Sequence, residues 1–357
     1  ELLKGRYGNP EIAARKVDIP RFSDEIEMCF ERGWSDGLPV VPPTAERVLR
    51  MLTGTRLPSD AIIGDVPPNL APCTVEKVAI NAVLAGCKPD YMPVVLAALE
   101  AVLEPNYTLH AIVCSTCFTA PMIVVNGPIA KRIGMNSGLN VLGQGNRANA
   151  TIGRALNLIV RNIGGALPGE IDRSTLGAPS KYTFCFAEDE SGDDWEPLSV
   201  SRGIARGIDA VTVFQGEGVQ GVMDQRSRTP EELTRSLAQC LFAVGHHKLC
   251  EWAQAVLVLS PEHYEIFRAA GWTRRYITEA LHEALLRPGS EVVHGAGGIA
   301  EGVAESFVNS MVPKFVSDGL HLVRAGGSAG LYSAILAGWP GHRAHGESSP
   351  ITKEIRS

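Results

Sequence analysis

The sequence predicts an α/β protein built of mainly parallel sheets with helices on both faces. Three observations lead there. Short β-branched runs recur along the chain, each closed by Gly, Pro or Asn. Helical stretches separate several of them. The runs are continuously apolar rather than alternating, which is the pattern of strands buried on both faces. Of the 357 residues 45% are hydrophobic and 20% charged, enough for a sizeable core and suited to about two domains.

Residues 1–60 read as an N-terminal lead-in. A helix over 24–32 ends at Gly33, and the piece WSDGLPVVPPT that follows is extended, because Pro39, Pro42 and Pro43 exclude helix. Thr44 caps a short helix to about Leu52. Further helices are expected over 74–86 and 91–103, the second apolar nearly all round and hence buried. Strands are then expected at 109–113, 122–125, 182–186, 210–214, 255–259 and 320–323, with helices at 148–162, 231–244 and 273–286. Clustered acidic, Ser and Gly residues at 188–203 mark a boundary between an α/β domain over 61–190 and a second over 204–345, with 346–357 as a tail. Three stretches beginning at Met122, Val256 and Leu320 each read as strand, tight loop, short helix, then Gly with a large apolar residue. They fit either repeated βα units or the general look of such units.

Composition excludes several functions. With 33 Lys and Arg against 39 Asp and Glu, a net charge of -6 and no basic run, the chain is a poor partner for nucleic acid or an anionic membrane. No stretch approaches the ~20 apolar residues of a membrane span, and the N-terminal ELLKGRYGNPEIAARKVDIP has no apolar signal core. Eight cysteines are too sparse for a disulfide scaffold, so a cytoplasmic, reduced protein is expected. There is no Gly-x-Ser-x-Gly elbow and no His-Glu-x-x-His pair, which leaves serine hydrolase and zinc protease unsupported.

The sharpest chemical signal is Cys114-Ser-Thr-Cys117, directly after the expected strand 109–113. Two intervening residues allow both sulfurs to share a disulfide or a metal, and open α/β sheets place ligands at strand carboxyl ends. Three readings stand: a redox or nucleophilic pair, two small structural cysteines, or zinc at Cys114 and Cys117, for which no second Cys-x-x-Cys supplies the other ligands. The remaining six cysteines lie singly in apolar surroundings as core. His246-His247 sits just past a helix end, where cationic side chains suit the dipole.

Gly143-Gln-Gly145-Asn-Arg outlines an anion cradle at a helix start. It lacks the acidic partner of a dinucleotide fingerprint. Behind it Arg147, Arg154 and Arg161 recur every seven residues, as a solvated face or as a lining for carboxylate or phosphate. Arg324-Ala-Gly-Gly-Ser-Ala-Gly330 is a binding loop or a plain turn without Walker spacing. The same weight falls on the glycine-rich runs 215–221 and 293–298. The six carboxylates of 188–196 read as a solvated loop, with divalent metal binding as the lesser alternative.

At Gly33-Trp-Ser-Asp-Gly-Leu-Pro-Val-Val-Pro-Pro-Thr44, Val113-Cys-Ser-Thr-Cys117 and Arg147-Ala-Asn-Ala-Thr-Ile-Gly-Arg-Ala155, the chain resembles bacterial proteins associated with the UGSC-type selenoproteins, named for a selenocysteine-Gly-Ser-Cys motif. The resemblance covers most of the chain, but no Cys-Gly-Ser-Cys is present, so it looks more like a companion or fused neighbour than a member. What it implies is thiol chemistry and a possible partner subunit.

The function expected is a cytoplasmic enzyme, an oxidoreductase or lyase, using Cys114 or Cys117 on a small anionic substrate. Asn126, Arg147, Asn149 and Arg154 would hold the anion, faced by Gly326, Gly327 and Ser328. The alternative is a non-catalytic subunit or a small-molecule or metal-binding protein with a structural cysteine pair. No cofactor is required by the sequence, and a homo-oligomer or partner subunit fits either reading.

Overall fold

The computed structural model describes residues 12–20, 23–250, 253–295, 302–338 and 350–356. Side-chain caps set where several of the helices begin. Asp24 caps α1 (Glu25–Glu31) and Thr44 caps α2 (Ala45–Leu52). A hairpin of β1 (Ile62–Val66) and β2 (Ala71–Thr74) follows, and Thr74 caps α3 (Val75–Ala85), which a left-handed Gly86 ends. Next come α4 (Met92–Val102), α5 (Leu109–Val113), β3 (Ala120–Asn126) and α6 (Pro128–Arg132). Asn146 caps α7 (Arg147–Asn162), and β4 (Cys185–Ala187), α8 (Leu198–Ser201) and β5 (Ala210–Met223) lead on. A capping box of Thr229 and Glu232 opens α9 (Pro230–Leu241). The remainder is β6 (Ala253–Leu259), α10 (Pro261–Ala269), α11 (Arg274–Ala284), β7 (Leu286–Pro288), β8 (Met311–Pro313), β9 (Phe315–Arg324), β10 (Tyr332–Gly338) and β11 (Ile351–Glu354).

Two elements differ from expectation. Residues 109–113 are helix, not strand. Leu109, Ile112 and Val113 are buried while His110 and Ala111 are exposed, and that i, i+3, i+4 burial is helical. Residues 332–338, read as the short helix of a third unit, are strand β10, paired on both edges. The third unit is therefore not a βα unit like the other two.

The sheet also departs from a mainly parallel arrangement. Its order is β4-β3-β5-β10-β6-β9, with β11 also on β5. Only β3·β4 and β6·β9 are parallel; β3·β5, β5·β10, β10·β6 and β5·β11 are antiparallel. Connection length accounts for part of the split. Long helical crossovers link β3 to β4 and β6 to β9, whereas residues 325–331 between β9 and β10 are too few for a crossover helix. Long β5 joins the two halves of the sheet. Ala210–Gly216 pair with β3 and Gly216–Met223 with β10, so the sheet does not divide at 188–203.

Helices cover one face of the sheet. Ile123, Val125, Val211 and Val213 pack against the first helical layer, and Ala255, Leu257, Leu322 and Ile335 against the second. On the other face Met122, Val124, Phe186, Phe214, Val256, Val258 and Leu336 pack on one another, because the sheet curls on itself. The curl brings its two edges together: the Asp189 amide donates to the Arg324 carbonyl at 2.7 Å. Residues 136–137 span the same seam, Ala187 N donating to Asn136 O and Gly326 N to Ser137 O.

Two stretches of the chain are built alike. In each a central strand runs through a short helix and a longer one to a parallel neighbour, β3 to β4 and β6 to β9. Each neighbour's next amide then bonds back to the central strand, Glu188 to Val125 and Ala325 to Leu259, both at 3.1 Å. Among the described residues no single helix is long and apolar enough to cross a membrane. The apolar α3 and α4 are core helices.

Candidate functional site

Cys114 ends α5, and residues 115–119 carry the chain into the amino end of β3. The loop is pinned from two sides. Within it the Cys117 amide donates to Ser115 Oγ at 3.0 Å. From the 172–175 segment, Ser174 Oγ donates to the Cys117 carbonyl at 2.8 Å and the Thr175 amide to Thr116 O at 2.9 Å. Lys181 Nζ reaches both Asp172 (2.5 Å) and Ser174 Oγ (2.6 Å). An open cleft of about 500 Å³ lies here, flanking the loop at Val113 and Thr119 and walled by Asn157, Arg161, Asp172, Ser174 and Lys181.

Charge in the cleft is nearly balanced but not quite. Asp172 is paired with Lys181, and Asp36 with Arg154 from outside the lining. Arg161 donates through Nε to the Ser35 carbonyl at 2.9 Å and meets no carboxylate among the described residues. It is the excess positive charge of this cleft.

Among the described residues no two cysteines are joined in a disulfide. Cys29, Cys73, Cys87, Cys185 and Cys250 are buried; Cys240, expected in the core, is partly exposed like Cys114 and Cys117. Burial pushes the Cys73 and Cys87 thiols up to about 12. Burial and then the Asp172 charge also raise Cys114, which sits moreover at a helix carboxyl end, the wrong end of a dipole for a thiolate. Brief exposure of the folded protein to iodoacetamide, with peptide mass spectrometry, is expected to label Cys117, then Cys114 and Cys240. The five buried thiols should react only on unfolding, and label on Cys87 or Cys185 in folded protein would contradict the packing. Among the described residues no three His, Cys, Asp or Glu side chains converge as a metal site, so zinc at Cys114 and Cys117 would lack further protein ligands there.

Cys114 and Cys117 lie in the loop that borders this cleft but do not themselves line it, and the other expected site residues do not wall it either. Asn126 stands at the opposite end of β3, about 20 Å away along the strand. Arg147 caps the Gly86 carbonyl through Nε at 2.9 Å, about 21 Å up α7 from Arg161. Arg154 makes a bidentate pair with Asp36, both bonds 2.8 Å, and also holds the Leu38 and Pro39 carbonyls. It clamps the extended proline segment. Asn149 is buried and bonded both ways to the Asn136 backbone. Gly326 bonds Ser137, a Cβ at Gly327 would meet Leu139 at 2.2 Å, and Ser328 is exposed. Asn149 and the Gly326–Gly327 turn thus meet the same 136–139 segment, at the sheet seam rather than at the thiols. Of the glycine-rich run 293–298, residues 296–298 lie outside the described residues.

A second polar centre lies where the acidic run was expected to be solvated. Glu188 is fully buried, and its carboxylate accepts from Asn126 Nδ2 (2.6 Å), the Leu198 amide (2.7 Å), Trp195 Nε1 (2.8 Å) and the Arg324 amide (3.3 Å). Arg274 stands 4.0 Å away, its guanidinium 5.2 Å from the centre of the buried Trp195 ring. Burial pushes the Glu188 carboxyl up and Arg274 down, against their mutual attraction. Glu190 accepts from Asn126 and the Gly127 amide, while Asp193, Asp194 and Glu196 are exposed as expected. The reason is topological: the run is the crossover from β4 over β3 to β5, and Trp195 folds down beneath it.

No protein family, curated protein or solved structure matches the chain.

Proposed function

We propose that the protein is a thiol-dependent enzyme acting on a small anionic molecule held in the cleft beside Cys114 and Cys117. The observation that carries the reading is an open cleft that holds Arg161, without a carboxylate partner among the described residues, and borders at Val113 and Thr119 the loop of the two partly exposed thiols. Arg161 supplies a planar fork for a carboxylate, with Lys181 and Asn157 on the same walls. Cys117 is the attacking thiol, since Cys114 is held protonated by burial and by Asp172. The Asp172–Lys181–Ser174 chain fixes the Cys117 backbone, and so the position of its sulfur relative to a bound reactant. The raised Cys114 thiol also favours a second reading, a binding protein in which the pair is structural.

Calorimetry with a panel of small mono- and dicarboxylates tests the site. Arg161→Ala is expected to weaken binding at least about tenfold, the worth of a charged hydrogen bond. Cys117→Ser should leave affinity within about twofold of the parent. A bound carboxylate should shield Cys117 from iodoacetamide; binding without shielding selects the second reading. Equal affinity in parent and Arg161→Ala would overturn both.

A further inference from the structure

The loop before β6 occupies in the second half the place that the cysteine loop occupies in the first. Cys117 precedes β3 by three residues and Cys250 precedes β6 by three. Around this second loop the described residues bring together His246, His247, Lys248, Arg287 and Lys314. Lys314 is buried, its ammonium donating to the carbonyls of Val244 (2.8 Å) and His246 (2.7 Å). Arg287 donates to the His247 carbonyl at 2.9 Å, and Lys248 Nζ to the Val293 carbonyl at 3.1 Å. Lys248 and Lys314 thus bond neutral acceptors, which do not cancel their charge, and Arg287 bonds one neutral acceptor beside its carboxylate partner. Among the described residues one carboxylate meets the group, Glu291 at 3.3 Å from Arg287. The two imidazole rings lie 4.3 Å apart, tilted at 44° to each other, and His246 Nδ1 accepts the Lys248 amide at 3.2 Å. Desolvation and then the neighbouring cations hold His247 low, and burial brings Lys314 down to about 8. These side chains repel one another's charge in a chain whose net charge is -6.

We infer that His246, His247, Lys248 and Arg287 form a phosphate-binding site, with Lys314 as the fixed positive charge beneath it. A dianion matches the set better than a carboxylate does. Three cations against one carboxylate leave about two uncompensated charges, and exposed His246 and His247 can donate from their ring nitrogens once protonated. The site does not depend on the cleft reading, because it shares no residue with the cleft.

The test uses the full chain and inorganic phosphate. Histidine C2–H resonances are followed by NMR through a pH titration, with and without millimolar phosphate at constant ionic strength. Bound phosphate should raise the midpoints of His246 and His247, assigned with His247→Gln, and leave buried His263 unmoved. Lys248→Gln should weaken phosphate binding at least about tenfold, while Arg161→Ala, in the cleft, should not change it. A phosphate monoester used in parallel tells a free ion from a phosphorylated metabolite: equal binding marks a site open to the ester. The proposal is overturned if phosphate moves neither histidine, if chloride moves both equally, or if folded Lys248→Gln binds as the parent does. If Lys248→Gln fails to fold, the parent titration alone decides.

Discussion

Replacing Arg274 by methionine is expected to destabilise the protein by about 3–5 kcal/mol. Its side chain is 7% exposed and that of its partner Glu188 is 0%, so solvent cannot take over the role of either. Arg274 also donates to the carbonyls of Glu196 (2.8 Å) and Leu322 (2.6 Å), tying the crossover to the edge strand β9. The variant would leave a buried carboxylate without its counter-charge, and the buried Leu322 carbonyl and the part-buried Glu196 carbonyl without their donor. Urea denaturation measures the loss. Adding Glu188→Gln should cost less than the sum of the two single changes, since the orphaned charge is then removed. A loss below about 1 kcal/mol in Arg274→Met would show that the pair does not hold the crossover in place.

Arg154→Met is the second large effect, about 3 kcal/mol, with a pH signature of its own. Arg154 and Asp36 are 14% and 11% exposed. Burial alone would raise the Asp36 carboxyl, but the hydrogen bonds and charge of Arg154 outweigh it and hold the group below its ordinary value. A depressed carboxyl stabilises the fold above its unfolded value, near about pH 4, and that contribution is lost as pH falls through the folded value. The parent should therefore lose stability on acidification below about pH 4 more steeply than Arg154→Met does. Parallel curves would mean that the pair does not titrate with folding.

The long helices were legible in the sequence because their apolar stripes fit one period. The spans 148–162 and 231–244 compare with helices Arg147–Asn162 and Pro230–Leu241. Five strands were legible too, β3, β4, β5, β6 and β9, but not β10, which reads locally as a helix, nor the short hairpins and β11. Strand direction was not legible, since it depends on which strand is crossed between neighbours. Five apolar residues at 109–113 fit a strand or a helix turn equally well, and only burial decides. At the site, Cys114 and Cys117 stood out by spacing. Asp172, Ser174 and Lys181 did not, lying in an aperiodic Gly/Pro-rich loop whose contacts are all tertiary. Arg154 was visible as one of three equivalent arginines, yet nothing local told the clamp of the proline segment from Arg161, which faces the cleft. Glu188 was misjudged because composition cannot reveal a tryptophan folded under an acidic loop.

Strand β11 has a consequence for how the chain is made. Residues 351–354 lie against Ala210–Val213, at the heart of the first half, and Ile351 and Ile355 pack into the core built mainly by residues 29–166. Lys353 reaches back to Glu104. The first half, made before the second, therefore stays open along one side of β5 until nearly all of the second half has left the ribosome. During that interval its amides and carbonyls at 210–213 are an unpaired edge beside apolar surface, the kind of template on which nascent chains join one another.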